Sequence, residues 1–202
     1  MKGEDMAVTA IKERPILMCG PMIRATLEDM KTQTRRIVSL REFGPSDTPG
    51  YQWHFRDRRG LWNDISTERL LELCPHGEVG TRLWVRETWY TDDGRTAQYR
   101  ADYGHGTREP ADIADRGQHW RPSIFMPRWA SRILLEITEV RVQRVQEISD
   151  DDVKSEGVLT FAERYPLGVS FFKPLWDSLN AKRGYGWDKN PWVWVLGFRR
   201  IT

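Results

Sequence analysis

The chain is expected to fold as an α+β domain: a small mixed β-barrel flanked by helices and interrupted by long loop insertions. Three observations carry this reading. Segments with apolar residues at period two are separated from segments with helical spacing. Two stretches rich in Gly, Pro and charge, at about 40–80 and 103–121, carry neither pattern over much of their length. The order strand, helix, strands, helix, helix, strand alternates too rarely for a doubly wound parallel sheet, and no Gly-x-Gly-x-x-Gly or Walker loop occurs.

The elements follow in order. Residues 1–13 are polar and expected to be a flexible N-terminus, with 14–202 forming a single domain. Pro15-Ile16-Leu17-Met18 is a short apolar run that suits a strand. Ile23, Leu27 and Met30 then recur at i, i+4 and i+7, and Pro21 suits a first helical turn, so a short helix covers Pro21 to Met30. A turn at Lys31 leads into a second strand, on which Thr32, Thr34 and Arg36 share one face. Gly44 to Gly50 reads as loop and Thr67 to Leu73 as a short helix, within an insertion on the surface of the fold. Gly80 to Tyr90 is a strand with Leu83, Val85, Glu87 and Trp89 on one face, and residues 97–101 are placed to pair with it as a hairpin. Residues 103–121 read as a second long loop.

Arg132 to Val145 alternates as one long strand, bent near Thr138. Ser149 with Asp152 three residues on is a capping box, with Ile148 and Val153 placed as its hydrophobic staple and Gly157 as the stop. Glu156 then sits at the end of that helix, where a carboxylate is disfavoured by the dipole. Phe171, Phe172, Leu175, Trp176 and Leu179 form a second helical stripe, and Pro191 to Arg200 closes the chain as a strand.

Composition narrows the function. With 31 basic and 29 acidic residues the net charge is +2, too balanced to coat a nucleic acid by charge alone, although basic residues cluster at Lys31–Arg41 and Arg56–Arg59. The 10 tryptophans can fill a core or stack on flat ligands such as bases. Two cysteines far apart imply no disulfide framework, and no signal peptide or apolar run of membrane-spanning length is visible, so a cytoplasmic setting with no membrane is expected. His54, His76, His105 and His119 show no ligand spacing, so neither a metal nor another cofactor is expected.

The run Lys31-Thr32-Gln33-Thr34-Arg35-Arg36 packs an amine, a nucleophile-capable hydroxyl and guanidinium groups into six residues. The plain alternative is a solvated basic turn that favours the helix dipole. A half-buried strand over 80–90 that turned Arg86 or Glu87 inward would line a polar pocket.

These segments resemble a known family. Arg14 to Met18 with Pro21 to Ala25, Lys31 to Arg36, Leu83 to Trp89, Pro122 to Arg132 and Pro191 to Trp194 are similar to the ASCH domain, a branch of the PUA-like β-barrels, in its longer bacteriophage and prophage form. Of the ASCH signature Gly-x-Lys-x-x-Glu-x-Arg, Lys31 and Arg36 match, Asp29 takes the Gly position and Thr34 the Glu position. The resemblance is to the small bacterial ASCH enzymes that hydrolyse N4-acetylcytidine, which also carry Thr there. It implies a catalytic set of Lys31, Thr34 and Glu156, acting in a host cytoplasm if the chain is phage-encoded. Thr34 would attack the acyl carbonyl or position a water, Lys31 would take the proton, and Glu156 would pass it to the leaving amine or orient Lys31. Arg36, Arg86, Glu87 and Arg128 are expected to hold the substrate, with Trp89 or Trp129 stacking on the base. The expected partner is a modified nucleoside or RNA, with no obligatory protein partner. The alternative is a module that binds RNA or a modified base in the same pocket without chemistry, or a nuclease.

Overall fold

The computed structural model describes residues 12–103, 119–158 and 168–202. In chain order these form β1 (Glu13–Leu17), α1 (Gly20–Leu27), β2 (Gln33–Ile37), β3 (Arg41–Pro45), β4 (Trp53–Arg56), β5 (Trp62–Ile65), α2 (Thr67–Glu72), β6 (Arg82–Arg86), β7 (Trp89–Tyr90), β8 (Gln98–Tyr99), β9 (Leu134–Arg144), α3 (Asp150–Ser155), α4 (Val169–Asn180) and β10 (Trp192–Arg200). The class is α+β, as expected.

The main sheet runs β1-β6-β9-β10-β2. Its β1–β6 pair is parallel and the rest antiparallel, so the sheet is mixed. β1 and β2 end the hydrogen-bonded order, so among the described residues no strand pairing closes a barrel. The curl nevertheless brings the two edges together, because the Arg36 guanidinium on β2 donates to the Leu17 carbonyl of β1 at 2.7 Å.

β10 explains why both faces of this sheet are covered. Its run Val193-Trp194-Val195-Leu196 is apolar at every position, the pattern of a strand buried on both sides. Trp194, Leu196 and Phe198 join Ile16, Leu83, Leu135 and Ile137 in one core. Val193 and Val195 face the other way, into a second core with Val153 of α3 and Phe172 and Trp176 of α4. The expected bend near Thr138 is a register shift between Gly197 and Phe198, which steps the β10 partners from Glu139 to Ile137. A Cβ on Gly197 would stand 3.1 Å from that of Glu139, so the bulge is packed tightly.

The stretch at 40–80 departs from the expected loop. β3, β4 and β5 form an antiparallel three-stranded sheet, and Phe43 stacks on Trp53, whose ring meets Trp192 edge-on. Strands this short escape periodicity, and aromatic packing on the main core holds them. The strand expected over 80–90 stops at Arg86, and the expected hairpin with 97–101 is limited to the β7–β8 pair. Residues 104–118 of the second loop and 1–11 of the N-terminus lie outside the described residues.

Candidate functional site

Lys31 stands on the turn between α1 and β2. The chain leaves α1 through Asp29 in the left-handed region (φ 56°), which Asp tolerates better than most side chains, and the amides of Met30 and Lys31 both bond to the Ala25 carbonyl. This turn aims the Lys31 stem inward, and the residue is only 3% exposed. Its Nζ donates to the main-chain carbonyls of Gln33 and Glu156, each at 2.7 Å, and to Glu156 Oε2 at 2.9 Å. Three acceptors match the three hydrogens of an ammonium.

Glu156 is delivered from the other side. The Ser149/Asp152 capping box opens α3 as expected, and Glu156 is its C-cap, followed by Gly157 at φ 70°. A Cβ on Gly157 would lie 2.7 Å from Lys31 Cβ and 2.8 Å from Ala25 Cβ. Glycine is therefore required twice over, by the left-handed backbone and by the close passage of the lysine. The Thr32 amide bonds to the Ser155 carbonyl, tying the start of β2 to the end of α3.

Arg35 completes the pair. It is almost fully buried, and donates through NH1 to Glu156 Oε1 and through NH2 to Asp152 Oδ2, at 2.9 and 2.8 Å. Asp152 Oδ1 accepts from Gln33 and from Arg141 on β9. Both Glu156 oxygens are thus held by cations, and α3 is bound to the sheet through Asp152. Strand alternation places Thr34 and Arg36 on the opposite face. There Arg36 donates to Thr34 Oγ1 at 3.0 Å. The hydroxyl oxygen accepts, and its own hydrogen has no acceptor among the described residues.

The two faces meet at the β2 edge, in a cleft of about 730 Å³ lined by Lys31, Thr34, Arg35, Arg36 and Glu156. Phe172, Leu175, Trp176 and Leu179 of α4 supply an apolar wall. Burial, the largest influence, holds the Lys31 ammonium below the ordinary lysine range; the Glu156 carboxylate opposes this and Arg36 adds to it. His76, from the segment after α2, lines the cleft and is pushed down to about 4 by burial and by the charges of Arg36 and Arg14.

The structure thus gathers Lys31, Thr34, Glu156 and Arg36. The other five expected positions do not line the cleft. Glu87 is buried and receives both ends of Arg132, at 2.9 and 3.0 Å. Arg86 lies over the Trp84 ring, and Arg128 pairs with Glu13. Trp89 packs with Met126 and Ala130, and the exposed Trp129 meets it edge-on. Sequence reading missed Arg35, Asp152 and His76. The signal for Arg35 was its neighbour: consecutive arginines on a strand must point to opposite faces.

Among the described residues no group of three or more His, Cys, Asp or Glu side chains is placed to hold a metal ion, and no helix is long and apolar enough to cross a membrane. No family model and no curated protein matches the chain. One solved structure that it resembles is an ASCH domain from Lactobacillus crispatus JV V101, 9% identical, covering 94% of this chain and 80% of that one with a TM-score of 0.44. An overlap of this quality leaves the functional reading to the geometry of the site.

Proposed function

We propose that the protein is an amidohydrolase that removes the acyl group from N4-acylated cytosine nucleosides such as N4-acetylcytidine. The observation that carries the reading is the buried contact between Lys31 and Glu156 in a cleft that Thr34 also lines. Chemically, an amide needs a nucleophile, a base and a proton donor for the leaving amine. In this reading Thr34, its oxygen steadied by Arg36, attacks the acyl carbon as neutral Lys31 takes the hydroxyl proton. Collapse of the adduct breaks the C–N bond, with the proton passing through Glu156 to the cytosine N4. Water then hydrolyses the acyl-threonine ester. At rest Lys31 is the ammonium that its three acceptors match. Burial lowers its proton affinity and so raises the share of neutral amine that this step requires, and the apolar wall at Phe172 and Leu175 suits a flat base.

A second reading is a PUA-like module that binds RNA or a modified base without chemistry. It is favoured by the saturation of the same groups: every Lys31 hydrogen and both Glu156 oxygens already have partners. Release of cytidine from N4-acetylcytidine separates the two. Turnover by the wild type that rises with pH and is abolished in Thr34→Ala and Lys31→Ala supports the enzyme. Absence of turnover, or its retention in both variants, refutes it, and oligonucleotide binding that weakens steeply with salt then supports the module.

A further inference from the structure

The cleft carries more positive charge than its own carboxylates answer. Among the described residues, Lys31, Arg35, Arg36 and Arg183 line it, against Glu156 alone. Counting Asp152 behind Arg35 leaves four cations and two carboxylates, a surplus of two charges. The surplus belongs to particular residues. Lys31 and Arg35 are the ones that Glu156 and Asp152 satisfy. Arg36 has no carboxylate partner among the described residues; it donates to the Thr34 hydroxyl and to the carbonyls of Arg35 and Leu17. Those use three of the five N–H donors of a guanidinium, leaving two for an incoming group. Arg183, exposed in the turn that follows α4, has no ion pair among the described residues either.

From this charge pattern we infer that Arg36 and His76 form a phosphate subsite, and that the substrate is the phosphomonoester of the acylated nucleoside, a mononucleotide, rather than the free nucleoside. The identity of the acylated base rests on the amidohydrolase reading; the phosphate subsite does not. A guanidinium with two free donors offers the fork that a phosphate takes up. His76 lines the same cleft as Arg36, and burial first, then the Arg36 charge, keeps the imidazole neutral at neutral pH. A neutral imidazole still donates one hydrogen bond and adds nothing to the crowding of cations. The subsite also gives the 40–80 segment a function, since His76 and Pro75 are its contribution to the cleft wall. The cleft volume of about 730 Å³ falls in the range of small-molecule sites, about 300–1,000 Å³, which suits a mononucleotide.

The test compares cytidine 5′-monophosphate with cytidine on the full chain by calorimetry. Neither ligand carries an acyl group, so hydrolysis is not needed. One or two charge-assisted bonds correspond to roughly ten- to a hundredfold in affinity, so the monophosphate is expected to bind the wild type at least about tenfold more tightly. The gap should close in Arg36→Gln, narrow in His76→Asn and persist in the exposed control Arg58→Gln. Because Arg36 also braces Thr34, the wild type supplies a second readout: the monophosphate should raise the titration midpoint of the His76 ring above its value of about 4, and cytidine should not. Equal binding of the two ligands, or a gap that survives Arg36→Gln, overturns the proposal. Inorganic phosphate binding as tightly as the nucleotide overturns the nucleotide assignment, as does tighter binding of a cytidine oligonucleotide without terminal phosphates. If N4-acetylcytidine and its monophosphate are both inert while the binding gap stands, the amidohydrolase reading fails and the phosphate subsite survives.

Discussion

Removing Glu156 should destabilise the protein more than removing Lys31, although the two form one ion pair. Glu156 answers two buried cations, Lys31 through Oε2 and Arg35 through Oε1. In Glu156→Gln the one amide oxygen can accept from only one of the two cations, Lys31 is left without a carboxylate and Arg35 retains Asp152. Breaking a buried pair so that a charge is left without its counter-ion costs about 3–5 kcal/mol. In Lys31→Met the carboxylate keeps Arg35, and an apolar stem of similar length fills the space between Ala25 and Gly157. The loss is then hydrogen bonds to two carbonyls and one carboxylate oxygen, about 1–3 kcal/mol. At roughly 2–4 °C of melting temperature per kcal/mol for a chain of this size, Glu156→Gln should melt about 4–8 °C below Lys31→Met. Calorimetric melting of both variants and of the double variant measures the difference and the coupling between the sites. Equal melting temperatures, or a lower one for Lys31→Met, would refute the argument that Glu156 serves two cations at once.

Two further outcomes follow from the same geometry. Gly157→Ala combines a left-handed alanine, about 1–2 kcal/mol, with contacts of 2.7 and 2.8 Å to the Cβ atoms of Lys31 and Ala25, which overpack by about 1–3 kcal/mol; it should lower both the melting temperature and any turnover of N4-acetylcytidine, and a variant that melts like the wild type would show that the turn has room. His76 predicts a pH dependence: its folded value of about 4 lies below the ordinary 6.5, so below pH 6.5 the unfolded chain binds a proton that the folded chain refuses, and stability falls as the pH drops from 6.5 towards 4, by at most about 3 kcal/mol. Urea unfolding at pH 7 and pH 4.5 should show a smaller loss in His76→Asn, and an unchanged loss would assign the acid sensitivity to other groups.

The sequence disclosed most where one physical rule acts locally. The Ser149/Asp152 capping box placed α3 and hence Glu156, and alternation over 132–145 placed β9 with its bend. Elements held by distant contacts were not legible. The β3–β4–β5 sheet rests on Phe43, Trp53 and Trp192, which no short window brings together. The sequence marks Glu87 as a pocket residue because a charge turned inward from a half-buried strand needs a polar neighbour. That neighbour is Arg132, 45 residues away in the chain. The same rule applied at Glu156 yields Lys31 and Arg35, and a cleft besides. A buried carboxylate in a sequence therefore announces a cation, and only the fold decides whether solvent-accessible space lies beside the pair.

The pair Arg35-Arg36 shows how one strand can serve two demands. Alternation sends Arg35 to the α3 side, where two carboxylates neutralise it, and Arg36 to the Thr34 side, where its contacts are uncharged. Arg35 fixes the helix that carries Glu156, whereas Arg36 leaves unanswered charge in the cleft. Burying a charge without a directly paired counter-ion is costly, and the lowered proton affinity of half-buried Arg36, caused first by burial and only partly opposed by the Glu156 carboxylate, is the sign of that cost here. An anion bound at Arg36 would remove the cost, and one bound at Arg35 would have to displace Glu156 or Asp152. The same two residue types at adjacent positions thus divide into a support and a binding group, and β2 can hold its ion-pair network rigid while leaving the cleft ready for a ligand.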